Sequence, residues 1–128
     1  MMNEKATRDR LRAICPEIRP ILDELDVREL GLCSQLVALA DFAVGLFDAE
    51  VAQHVRLEAI FGFVERLMGD GTPDVRNAAA TGFLESLQRT VCRGEIDGEV
   101  FFALMHTESR RFCREMDDFW GAETPGLE

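Results

Sequence analysis

Thr72–Leu87 reads T-P-D-V-R-N-A-A-A-T-G-F-L-E-S-L, and its parts specify a helix. Thr72 offers a side-chain oxygen to the orphan amides of a first turn. Pro73 has the fixed φ that suits the first helical position, and Asp74 complements the positive end of the helix dipole. Beyond that start, Ala79, Ala80, Phe83, Leu84, Leu87 and Val91 recur at helical spacing and predict a buried stripe. Arg93-Gly94 predicts the stop, so the helix is expected over 73–92. Its other face carries Asn77, Thr81, Glu85 and Gln88. In a regular α-helix a spacing of four stacks the first three in one column, with Gln88 close by. Ala78 and Gly82 lie beside that column and leave the backbone approachable. The stretch thus predicts an open, rigid, polar surface suited to binding. The competing reading is an ordinary solvated face whose small residues favour packing.

The same period extends outward in both directions. Leu11, Ile14, Ile18, Ile21, Leu22 and Leu25 form one stripe, interrupted by Pro16 and Pro20, which predicts two short helices or one kinked helix. Gly31 marks a stop. Cys33–Phe47 is apolar on nearly every side, with Ser34, Asp41 and Asp48 as a narrow polar strip, and so belongs in the middle of the domain. Asp48 is the expected cap of a helix over Ala49–Met68. That helix has an apolar stripe through Leu57, Ile60, Phe61, Phe63, Val64, Leu67 and Met68, with His54, Glu58 and Glu65 on the opposite side. Gly69-Asp70-Gly71 ends it. A short helix is expected over Gly98–Met105. The last is expected over Thr107–Trp120, with Thr107 as cap and Phe112, Met116, Phe119 and Trp120 inward. Period-two alternation is absent.

The expectation is an all-α protein: a compact bundle of five to seven antiparallel helices in a single domain over residues 1–121. The expected core comprises Leu36, Leu39, Phe42, Ala43, Leu46, Ile60, Val64, Leu67, Phe83, Leu87, Phe112 and Phe119. Residues 122–128, with Pro125 and Gly126, are expected to be a flexible tail, and Leu127-Glu128 reads as a cloning scar.

Composition narrows the function. A chain of 128 residues is long enough to bury one real core. Its 24 acidic and 14 basic side chains leave a net charge of −10, which repels nucleic acid and anionic lipid and attracts basic proteins. The plainer reading of that charge is solubility. No secretory segment is visible, and the apolar run Leu36–Leu46 is broken by Asp41 and too short to span a bilayer, so the expected compartment is the cytoplasm. Cys15, Cys33, Cys92 and Cys113 lie far apart without C-x-x-C and are expected to be buried free thiols, against a disulfide or metal site.

Catalytic signatures are lacking. His54 with Glu50 and Glu58 has neither the E-x-x-H of di-iron bundles nor H-E-x-x-H, and reads as a solvated helix face. No G-x-S-x-G, P-loop or dinucleotide turn occurs, so no metal, organic cofactor or enzymatic activity is expected. Arg110, Arg111 and Arg114, followed by Glu115, Asp117 and Asp118, predict mutual pairing. Trp120 is either core or an exposed anchor for a partner.

Three motifs carry a resemblance. Phe61–Leu67 reads F-G-F-V-E-R-L, Val75–Glu85 reads V-R-N-A-A-A-T-G-F-L-E, and Asp117–Trp120 reads D-D-F-W. The middle one resembles one helix of a HEAT-type repeat, present here in a single copy. Their order is similar to that in a family of small bacterial helical proteins of unknown activity, over roughly residues 50–121. The resemblance implies HEAT-like helix pairing in residues 50–92 and a likeness to immunity proteins of interbacterial toxin systems. The expected function is therefore an immunity-type binding protein that neutralises a cognate bacterial toxin by direct contact. The alternative is a helical adaptor or regulator with another basic protein partner. The expected contact surface is Glu58, Glu65, Asn77, Thr81, Glu85 and Gln88.

Overall fold

The computed structural model describes residues 1–47 and 54–127. Asn3 opens α1 (Glu4–Ile14), its Oδ1 accepting from the amide of Ala6 at 2.9 Å. Pro16 begins a 3₁₀ turn (Pro16–Ile18), and Pro20 sits in the first turn of α2 (Arg19–Val27), so the two prolines make two helices rather than one kinked one. Next come α3 (Leu32–Phe47) and α4 (His54–Asp70). Asp48, Ala49 and Glu50, where a cap, a helix start and part of a polar cluster are expected, lie outside the described residues.

Residues 73–92 form one rod in three parts: α5 (Pro73–Ala78), a π segment (Ala79–Leu84) and α6 (Glu85–Cys92). Thr72 caps it, Oγ1 accepting from the amide of Val75 at 3.4 Å. Then follow α7 (Gly98–Ala103) and α8 (Thr107–Trp120). Among the described residues this makes an all-α bundle of seven rods without a strand. Met2 nevertheless pairs with Gly71, donating to Asp70 O at 2.7 Å and accepting from Thr72 N at 3.0 Å, which pins the N-terminus to the α4–α5 turn.

The core forms where α4 meets the rod. Both helices leave the turn at Gly71 in opposite senses, and Phe61 stacks edge-on against Phe83 with centroids 5.4 Å apart. Phe101 from α7 adds a second edge contact to Phe61 at 5.7 Å. On one flank α3 crosses the rod at Gly82, where a Cβ would stand 2.6 Å from Cys33 O and 2.9 Å from Leu36 Cβ. Gly82 therefore serves helix–helix approach inside the domain. It does not leave backbone open to a partner, as the sequence pattern suggests. On the other flank α8 lies against both α4 and the rod. Further out, Arg12 on α1 grips Asp23 (3.0 Å) and Asp26 (2.6 Å) on α2, and Gln35 on α3 donates to Asp26 at 2.6 Å.

Leu36, Leu39, Ala43, Ile60, Val64, Leu67, Phe83 and Leu87 are buried as expected, while Phe42, Leu46 and Phe112 pack at the margin. Phe119 departs from the expectation, being 82% exposed. Ser109 and Cys113 define the inward face of α8. Phe119 lies six residues past Cys113, about 240° further round the helix, and so points to water.

The tail also departs from it. The Thr124 amide donates to Asp117 Oδ2 at 2.9 Å, its hydroxyl donates to Asp117 Oδ1, and the residue is buried. The Pro125 carbonyl lies against Gly98, where any Cβ would collide with it, and Leu127 packs against the core. Residues 122–127 are thus docked on α6, α7 and α8.

Phe83→Ala should cost about 3–5 kcal/mol in urea denaturation. A loss well below about 1 kcal/mol would place the ring outside the cooperative core.

Candidate functional site

The π segment decides where the polar residues of the rod point. The Glu85 amide donates to Ala80 O, five residues back instead of four. Such a wide turn takes in one extra residue, so everything after it lags by about 100° of helix rotation. The Thr81 hydroxyl donates to Asn77 O, Ser86 to Gly82 O at 2.9 Å and Thr90 to Ser86 O at 2.9 Å, so hydroxyls accompany the disturbance on both sides. The column expected from Asn77 through Thr81 to Glu85 is therefore broken.

Gln88 shows the largest consequence. It is rotated inward and fully buried. Its Nε2 donates to Cys113 O (2.9 Å), Asp117 Oδ1 (3.0 Å) and Thr124 Oγ1 (3.1 Å). It ties α8 and the tail to the rod and is not available to a partner. Glu65 also has an internal role. Its carboxylate accepts the amides of Glu108 and Ser109, both at 2.9 Å, and so caps α8 from across the bundle. Thr107, the expected cap, lies inside the helix, and His106 at the cap position contributes no side-chain bond.

Glu58 is exposed, 3.3 Å from His54 Nε2, on the outer side of α4. With α3 over one seam between α4 and the rod and α8 over the other, that side cannot join the outer stripe of the rod. The six expected residues thus divide into a lone Glu58, the internal pair Glu65 and Gln88, and an outer group in which Asn77 and Thr81 are exposed while Glu85, past the π segment, is half-buried.

That last group continues into residues the sequence pattern did not bring forward. Glu85 pairs with Arg89 at 2.7 Å, and the Arg89 guanidinium lies 5.4 Å above the Trp120 ring. Arg89, Cys92, Arg93, Trp120 and Ala122 line a cleft of about 320 Å³. Phe119, the chain neighbour of Trp120, is exposed. Trp120 is half-buried, between the two alternatives its position allowed. The phase of Phe119 relative to Cys113 was the signal available for finding this surface.

Arg110 and Arg111 are used otherwise than expected. Arg110 donates to Met105 O (3.2 Å) and Phe102 O (2.5 Å), closing the end of α7. Arg111 pairs with Glu108 at 3.2 Å. Asp117 holds the tail. Among the described residues no group of three or more His, Cys, Asp or Glu is placed to hold a metal. No described helix is long and apolar enough to cross a membrane.

Residues 8–121 match one family over all of the helical bundle except the start of α1. The chain belongs to the family described as Domain of unknown function (DUF7674). Its span takes in α2 and most of α1, the proline-broken third that the resemblance over 50–121 omits, and stops where the docked tail begins. No curated protein and no solved structure matches the chain.

The cysteines divide in two. Cys15 and Cys113 are buried, whereas Cys33 and Cys92 are exposed, against the expectation of four buried thiols. Burial pushes the Cys15 thiol up to about 11, opposed by the Arg56 charge and helped by Glu17. Burial, with Asp117 adding to it, raises Cys113 strongly. A thiol reagent at pH 8 should label Cys33 and Cys92 in the native protein, while Cys15 and Cys113 react only on unfolding. Peptide mapping showing rapid native labelling of Cys113 would contradict its placement.

Glu65→Ala should cost about 1–2 kcal/mol, because two amides at the start of α8 lose their acceptor. Hydrogen exchange should rise first at Glu108 and Ser109. Unchanged protection there would remove Glu65 from the cap.

Proposed function

We propose that this protein is an immunity-type binding protein that neutralises a cognate bacterial toxin by direct contact. Its binding surface runs from Asn77 and Thr81 through Glu85 and Arg89 to Trp120 and Phe119. The exposure of Phe119 carries this reading. A phenyl ring held at 82% exposure beside a half-buried indole forgoes about 1.5–3 kcal/mol of burial within the monomer. Aromatic groups so placed, with a polar surround, are the anchors on which protein interfaces concentrate their energy. The net charge of −10 favours a basic partner and fast, salt-sensitive encounter.

Several features support binding over catalysis. Among the described residues, the groups with perturbed protonation are the buried thiols Cys15 and Cys113 and the ion-paired Lys5, Asp9, Glu17 and Arg56. None of them lines the cleft at Trp120. HEAT-like pairing of α4 with the rod would serve as the rigid support for such a surface, and the cytoplasm is the compartment in which we place its action. The second reading, a helical adaptor for another basic protein, uses the same surface and differs only in the partner.

The product of the gene next to this one is the partner to test, by calorimetry and by protection of cells expressing it. Phe119→Ala should weaken binding about tenfold or more and abolish protection without loss of thermal stability. Glu85→Lys should slow association, most clearly at low salt. Glu58→Lys should leave toxin binding unchanged, because that residue lies on another side of the bundle. Tight binding and full protection by Phe119→Ala would refute the assigned surface. A neighbouring product that neither binds nor harms cells would leave the adaptor reading.

A further inference from the structure

The outer face of α4 carries a separate set of features. Val55, Ala59, Gly62, Arg66 and Gly69 share one side of the helix, and Val55 is 70% exposed. Gly62 stands mid-helix, where glycine costs about 1 kcal/mol relative to alanine. A Cβ built on it meets nothing within 4 Å, so packing inside the domain gives no reason for the glycine. Beside it a groove of about 310 Å³ opens between α1 and α4, with Ile14, Phe63, Ala59 and Gly62 beneath Arg10 and Arg66. Among the described residues, neither arginine has a carboxylate within ion-pair distance.

The order of charges along this face points to its occupant. Glu58 lies four residues before Gly62 and Arg66 four residues after it. A second copy of α4, run antiparallel about a two-fold axis at Gly62, brings Glu58 of each copy to Arg66 of the other. The same operation sets Val55 against Gly69, each seven residues from the centre. Residues 58, 62 and 66 form an i±4 row along this face of the helix. The missing side chain at Gly62 lets the two backbones approach at the crossing point. A face that complements itself under a two-fold is what an isologous dimer requires.

We propose that this face of α4 is a homodimer interface, centred on Gly62 and held in register by two reciprocal Glu58–Arg66 pairs. The surface is distinct from that of Phe119, so a dimer presents two toxin-binding surfaces. At physiological salt the screening length is about 8 Å, which mutes repulsion between two acidic copies while leaving close pairs effective.

Sedimentation equilibrium of the full chain over a concentration series tests this. The wild type should approach twice the monomer mass. Glu58→Arg alone and Arg66→Glu alone each set like charges together twice per dimer, and each should weaken self-association about tenfold or more. An equimolar mixture of those two variants restores both pairs and should recover the dimer, as should the double variant within one chain. Gly62→Leu should give a monomer of helicity and thermal stability no lower than the wild type's, since the monomer has room for the side chain and the helix loses a glycine. A wild type that stays monomeric at all accessible concentrations overturns the proposal. So does a dimer indifferent to the reversals, or one that mixing fails to rescue. None of these results depends on toxin binding, whose failure would show in the Phe119 measurements instead.

Discussion

One helix in this bundle must face in three directions at once. The rod over 73–92 turns Gly82 to α3, Phe83 to Phe61 on α4, and Gln88 to α8 and the tail. A regular α-helix advances by 100° per residue, and the rod departs from that advance. The π segment at Ala79–Leu84 admits one extra residue, which sets Gln88 back by about 100° relative to Gly82 and Phe83. The close approach at Gly82 and this phase change occur within the same segment. Everything packed on the rod inherits its geometry from that turn.

The polar residues follow from it. Once Gln88 faces inward, its buried NH2 group requires acceptors, and Cys113 O, Asp117 and Thr124 provide them, while its Oε1 has no hydrogen-bond partner among the described residues. Asp117 is then committed to the tail, which lies across Gly98 where no side chain would fit. Glu65 is committed at the opposite end of α8, where it replaces a local cap. Two of the carboxylates that make the chain acidic are thus structural. What remains on the outside is Asn77 and Thr81, with the half-buried Glu85 joined through Arg89 to the aromatic end of α8.

This arrangement gives the bundle two unrelated outer surfaces, because α3 and α8 each cover one seam between α4 and the rod. The aromatic surface pairs an exposed ring with nearby charge, which suits a foreign partner approached by electrostatic steering. The α4 surface is small-featured and self-complementary in charge order, which suits a second copy. An oligomer that uses one face leaves the other free, so partner capture and self-association need not compete.

The helices, their order and most of the core were legible in the sequence, because hydrophobic periodicity and punctuation are local. Thr72-Pro73-Asp74 starts a helix whatever surrounds it, Pro16 and Pro20 break one, and Phe61, Phe83 and Leu87 repeat on the side they bury. Where a polar side chain points was not legible, because it depends on contacts between distant segments. No local signal distinguishes Gln88 from a solvated glutamine. A single π turn, at the α3 crossing, rotates it into the interior. Nothing near Glu65 reveals that α8 begins above it. Phe119 could be assigned to water only once Ser109 and Cys113 had established which side of α8 is covered. The sequence alone determined the elements, since their causes lie within a few residues. Tertiary structure decided which acids and aromatics remain available for function, since that depends on which faces the packed helices leave uncovered.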